Sequence, residues 1–167
     1  MLLLKDALML PPITTPTTDL AYTFGATPDG QIMVDYVLSA DGDLAVVSGV
    51  ARLAQDVVRW LYTPPGADPY TPAAGNRLYA EVGQPVAADL AHYVQAVDAT
   101  LSDFAACQQL DLAAGNLAAD AVLATWDTPV VVRAGSLLQV SLHLYAASGD
   151  ATAVAATLPA LTSSPGA

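Results

Sequence analysis

The chain has 167 residues, 54% of them hydrophobic and only 13% charged, where soluble chains are roughly a quarter charged. Sixteen acids against five bases (Lys5, Arg52, Arg59, Arg77 and Arg133) give a net charge of −11. This excludes the clustered phosphate contacts of a direct nucleic-acid binder and disfavours anionic membrane surfaces. A single cysteine, Cys107, excludes an intrachain disulfide framework and a Cys-based metal site, and no apolar run approaches the roughly 18 residues of a membrane span.

Residues 1–30 hold four prolines and six threonines and read as an extended N-terminal arm. Their start, MLLLKDALMLPP, carries Lys5 and Asp6 inside its apolar part, unlike a signal peptide. Residues 31–38 (QIMVDYVL) predict a strand with Ile32, Val34, Tyr36 and Leu38 on one face. A Ser-Ala-Asp-Gly-Asp turn follows, and Asp43 is the expected N-cap of a helix over 44–62. On that helix Ser48, Arg52, Gln55 and Arg59 form one narrow polar stripe. Apolar residues fill the rest until Pro64-Pro65-Gly66 ends it. A helix with so little polar surface needs cover on two sides.

A loop rich in Pro and Gly spans 63–85, and a second helix is predicted over 86–110. Its apolar seam is Leu90, Val94, Val97, Leu101 and Phe104. After a turn at Gly115-Asn116 the pattern changes to strands at 121–126, 130–133 and 136–146, the last two as a C-terminal β hairpin. In the last strand Leu138, Val140, Leu142, Leu144 and Ala146 alternate with Gln139, Ser141, His143 and Tyr145. Residues 148–167 are of low complexity and read as a flexible tail with room for one strand at 152–158. The fold class is α+β: a small mixed sheet with two main helices, over residues 31–147.

Little in the chain carries chemistry. His92 and His143 have no neighbouring ligand at metal spacing, and Cys107 reads as a small buried apolar residue. Asp68 and Glu81, the only glutamate, are the single carboxylate pair worth testing for glycoside hydrolysis. The glycines at 66, 75 and 83 do not make a phosphate loop. No catalytic, cofactor-binding or metal-binding residue is named, and the expectation is a non-enzyme.

Asp41-Gly42-Asp43-Leu44, Gln55-Asp56, Leu61-Tyr62-Thr63-Pro64-Pro65-Gly66, Pro69, Pro72, Gly75 and Leu78 occur in that order, followed by a long helix and a hairpin. This order resembles the baseplate wedge proteins of contractile phage tails, the protein W or lysozyme-like sheath-initiator family, across residues 31–147. Where that family usually places a Glu-Arg type pair after the stop glycine, this chain has Ala67 and Asp68. The resemblance implies a structural baseplate protein in the virion, assembled in the host cytoplasm as a ring of six around the tail. Its implied partners are the tail sheath protein, other wedge proteins, and the tail tube or hub. The wedge contact would fall on Val46, Val50, Leu53, Val57 and Trp60 of the first helix. The sheath would add strands to an open edge formed by Leu138, Gln139, Val140, Ser141, Leu142 and His143. A lysozyme-like hydrolase of the tail and an acidic adaptor with another partner are the alternative functions.

Overall fold

The computed structural model describes residues 18–26, 32–67, 69, 75–81, 90–113, 115, 117–134 and 137–159. The expected arm over 1–17, the first turn of the second helix before residue 90 and the tail beyond 159 lie outside these residues. The fold is α+β. Where the sequence suggested a mixed sheet, every strand pair is antiparallel among the described residues.

The main sheet is a C-terminal meander. Strands β5 (Leu123–Trp126) and β6 (Val130–Ala134) lie along one side of β7 (Leu137–Ala146), and β8 (Ala151–Pro159) lies along the other. Strict alternation puts Leu138, Val140, Leu142, Leu144 and Ala146 of β7 on the buried face, beside Val154, Ala156 and Leu158 of β8. β8 thus occupies the region expected to hold a flexible tail, where a strand at 152–158 was allowed.

Two helices cover that face: α1 (Gly49–Tyr62) and α2 (Ala91–Ala113). The predicted α2 seam holds, with Val97, Leu101 and Phe104 buried and Leu90 and Val94 half-buried. α1 begins five residues later than expected. Residues 46–48 form strand β4 (Val46–Ser48), for which the β-branched Val46 and Val47 are suited. Gly49, at φ 57°, turns that strand into the helix. Ser48 is the N-cap, without a side-chain bond, and Asp43 stays in the preceding turn.

The expected polar stripe on α1 is only partly polar surface. Arg59 is exposed, but Gln55 is buried, as is Asp56 beside it. Gln55 is buried because it grips backbone. Its Nε2 donates to the Leu20 carbonyl (2.8 Å), and its Oε1 accepts the Tyr22 N–H (2.9 Å). Gln108 of α2 does the same between Ala121 and Leu123, at 3.0 and 2.8 Å. Each helix therefore pins one extended segment with a single amide, satisfying backbone groups that would otherwise be buried unpaired.

The N-terminal strands form a separate layer. β1 (Thr18–Leu20) pairs with β4, and β2 (Tyr22–Ala26) pairs with β3 (Ile32–Tyr36). Part of the expected arm is thus sheet, with Ala21 buried and Phe24 stacked on Tyr62 of α1 at 5.1 Å.

Asn76 closes the other end of α1. Its Nδ2 donates to the Leu61 carbonyl (2.8 Å), its backbone N–H to the Thr63 carbonyl (2.8 Å), and its Oδ1 accepts the Leu78 N–H (2.9 Å). Gly75 makes this approach possible. At φ 128° it lies so close that a Cβ there would stand 2.7 Å from the Thr63 carbonyl oxygen and 2.8 Å from Pro65 N.

Candidate interaction surfaces

The first helix is covered mainly by its own chain. Leu53 and Val57 are 0% exposed in the common core, so neither can meet a partner in this fold. Val50 and Trp60 are half-buried, the Trp60 ring lying edge-on to Phe104 at 5.2 Å. Of the five expected wedge residues only Val46 is openly exposed, at 64%, and it sits on β4 rather than on the helix. The remaining side of α1, at Ala51, Ala54 and Val58, floors a groove of about 340 Å³ between β2 and β8. The helix read as short of polar surface because its cover is double: the sheet and α2 together, with the N-terminal strands added.

The strand expected as an open edge is interior. β7 pairs with β8 from Leu137 to Tyr145, and with β6 and then β5 along its other side. Leu138, Val140 and Leu142 point into the core, while Gln139, Ser141 and His143 lie on the exposed sheet face. None of the six has a free backbone edge to offer an incoming strand. The cause is β8, whose small side chains (ATAVAATLP) pack as a strand although their composition reads as a tail. Along β8 one outward backbone position is already taken. The Tyr62 hydroxyl donates to the Thr157 carbonyl (2.7 Å) and accepts the Thr157 N–H (3.1 Å).

Asp56 is the main buried charge. Its carboxylate lies 3.1 Å from Arg59 and 3.5 Å from Arg52. Burial nonetheless raises its pKa above the ordinary aspartate value, against the lowering pull of Arg59 and then Arg52. The motif pair Gln55-Asp56 is therefore structural: one residue ties down the N-terminal layer and the other gathers two arginines.

The chemistry-bearing residues stay apart. Cys107 is exposed rather than buried, and its thiol pKa is raised, first by partial burial and then by Asp103 and Asp111. A raised pKa disfavours the thiolate a nucleophile needs. His92 is exposed beside Tyr93, and His143 is on the outer sheet face. Asp68 and the Glu81 side chain lie outside the described residues, as does Pro72, while Ala67 is exposed. Among the described residues no group of three His, Cys, Asp or Glu could hold a metal ion.

The exposed apolar surface lies elsewhere, on a hairpin built from the expected strand and turn and from residues 44–48, which are not helical. Between β3 and β4 the chain closes a narrow stem with a bridge between Leu38 and Leu44. Its turn is held by Ser39 N–H to Asp43 carbonyl (2.7 Å) and Gly42 N–H to Ser39 carbonyl (3.0 Å). The base is a ring of three backbone hydrogen bonds: Ala21 N–H to Ala45 carbonyl (2.8 Å), Ala45 N–H to Val37 carbonyl (2.9 Å), Val37 N–H to Ala21 carbonyl (2.9 Å). Leu38 and Tyr36 are 61% and 60% exposed, and Met33, Val34, Val37 and Leu44 are exposed too. Val46 and, on the neighbouring β1, Leu20 add to this surface; elsewhere among the described residues only Leu110, Val130 and Val132 are large, apolar and exposed. Comparison with protein-family models, with characterised proteins and with solved structures gives no match.

Proposed function

We propose that this chain is a non-catalytic assembly subunit of a contractile tail baseplate, a wedge or sheath-initiator component. The observation that carries the assembly role is the concentration of exposed apolar side chains on one hairpin, in a chain whose helices are already covered by its own sheet. Contiguous apolar surface on a folded domain marks a site of association. The ordered motifs from Asp41 to Leu78 support the baseplate context. In this reading the chain meets the wedge through the hairpin around Val46 rather than through α1. Six copies ring the tail in the virion, and the sheath protein is the downstream partner. Strand addition, if the sheath uses it, falls on the outer edge of β5 and β6, or of β8 away from Thr157, because β7 is already paired on both sides.

The test is reconstitution of the full chain with the sheath, tube and wedge proteins encoded beside its gene. A stable complex with a wedge protein, and sheath polymerising only when the chain is present, is the expected result. Clearing of a peptidoglycan gel by the purified chain, lost in Glu81→Gln, would favour the hydrolase reading instead.

A further inference from the structure

We propose that the projecting hairpin between β3 and β4 docks a different polypeptide whose contact surface sets apolar side chains among lysines and arginines. The inference rests on the assembly role given above and names the chemistry of the partner.

The apolar centre comes first. Tyr36, Leu38, Leu44 and Val46 contribute nothing to the buried core, yet remain about half or more exposed. The ring of backbone bonds joining Ala21, Val37 and Ala45 holds the stem in place, and Gln55 anchors the strand beneath it. The hairpin is thus presented on a fixed base, which lowers the ordering cost of binding.

The charge comes second and selects the occupant. The described residues from Thr18 to Ala51 include Asp19, Asp35, Asp41 and Asp43, and no lysine, arginine or histidine. The next base, Arg52, is engaged with Asp56. Asp19 and Asp35 pair with Val47 and Thr23 and so alternate with Leu20, Val46 and Tyr36 rather than ringing them, and they make the field around the apolar face acidic. An apolar surface in an acidic field is complementary to one set among bases. A second copy meeting hairpin to hairpin would face four carboxylates with four more, in chains that each carry −11. Lipid surfaces and nucleic acids are anionic and are repelled by the same acidic field. A basic protein surface is what remains.

A synthetic amphipathic helix of leucine and lysine serves as the probe, titrated into the isotopically labelled full chain. A lysine–serine peptide of equal charge is the control. The expected footprint in NMR spectra covers Leu20, residues 33–38 and 44–46. Binding should weaken about tenfold when NaCl rises to about 0.5 M. It should weaken roughly a hundredfold in Leu38→Ser/Leu44→Ser/Val46→Ser, whose side chains lie outside the core, with an unchanged circular dichroism spectrum. Asp35→Asn/Asp41→Asn/Asp43→Asn should lose the salt dependence.

Equal binding of the lysine–serine peptide, or a footprint elsewhere on the chain, overturns the proposal. So does sedimentation as a dimer that the serine variant abolishes, which would assign the hairpin to a second copy. Contacts from residues 1–17 to Leu38 and Val46 in the free chain would also overturn it, because the chain would then cover its own hairpin. A positive result here with failed tail reconstitution would retain the docking chemistry and discard the baseplate.

Discussion

The Tyr62 hydroxyl holds both backbone groups of Thr157, donating to its carbonyl at 2.7 Å and accepting its N–H at 3.1 Å. One side chain at the end of α1 thereby satisfies one outward position of β8, which a neighbouring strand would otherwise satisfy. Tyr62→Phe removes the hydroxyl and keeps the ring against Phe24. The two Thr157 groups lose their partner, and the expected cost is about 1–3 kcal/mol. Urea denaturation reads that loss, and hydrogen exchange at Thr157 should quicken more than at Leu142.

Gln55→Ala acts on the other layer. It leaves the Leu20 carbonyl and the Tyr22 N–H without their amide partner. The expected outcome is faster amide exchange at Tyr22, with protection of the β7 amides kept. Equal loss of protection in both would mean that the N-terminal layer and the meander open as one unit.

Gly75→Ala should destabilise the chain by more than an ordinary surface change. The new Cβ would meet backbone rather than a yielding side chain, 2.7 Å from the Thr63 carbonyl oxygen, at a φ that alanine rarely adopts. A loss of about 1–3 kcal/mol is expected, read as a lower thermal midpoint. Gly66→Ala, where nothing lies within 4 Å of the added carbon, is the control for positive φ alone.

Asp56 makes a prediction about pH. Its folded pKa is raised above 3.8, with burial the leading cause. In the window opening at 3.8 and extending upward, the folded chain holds this proton more tightly than the unfolded chain. The contribution of Asp56 to stability is therefore greatest below that window and falls as pH rises through it. Denaturation of the wild type and Asp56→Asn across acid to neutral pH should show the wild type losing ground to the variant with rising pH. The opposite slope would mean that Arg59 and Arg52 outweigh burial.

The resemblance implies an open edge at residues 138–143, but the strand there is interior. β7 pairs on both sides, so Val140→Pro should unfold the meander rather than block one partner selectively. Loss of the circular dichroism signal at ambient temperature is the expected result. A folded Val140→Pro variant would show that one of its two neighbours is dispensable.

Much of the fold was legible where period and burial agree. Val97, Leu101 and Phe104 repeat with helical spacing and are buried, and the even-numbered residues of 138–146 alternate and are buried. The misreadings share a physical cause: local pattern does not state which neighbours a segment finds. Residues 44–48 continue an apolar run that suits a helix, yet pairing with β1 and the left-handed Gly49 make them a strand. β8 is mostly alanine and threonine, a composition that suggests little packing until β7 supplies a partner along its whole length. Gln55 read as part of a polar stripe, and Gln108 drew no reading, because nothing in sequence reveals the backbone groups they reach across the fold. The hairpin was half visible. Its turn and its first strand were predicted, but not that Tyr36, Leu38 and Leu44 stay exposed, since sequence alone cannot say that nothing lies over them.

Zero-length carbodiimide crosslinking of tail particles purified from the producing cells, followed by mass spectrometry, tests the central claim most directly. It joins carboxylates only to amines already in contact, so it reports both the partner and the face that meets it. The account predicts Asp35, Asp41 or Asp43 coupled to lysines of a wedge or sheath protein. Tail particles that lack the chain, or crosslinks from these aspartates only to another copy of it, would contradict it.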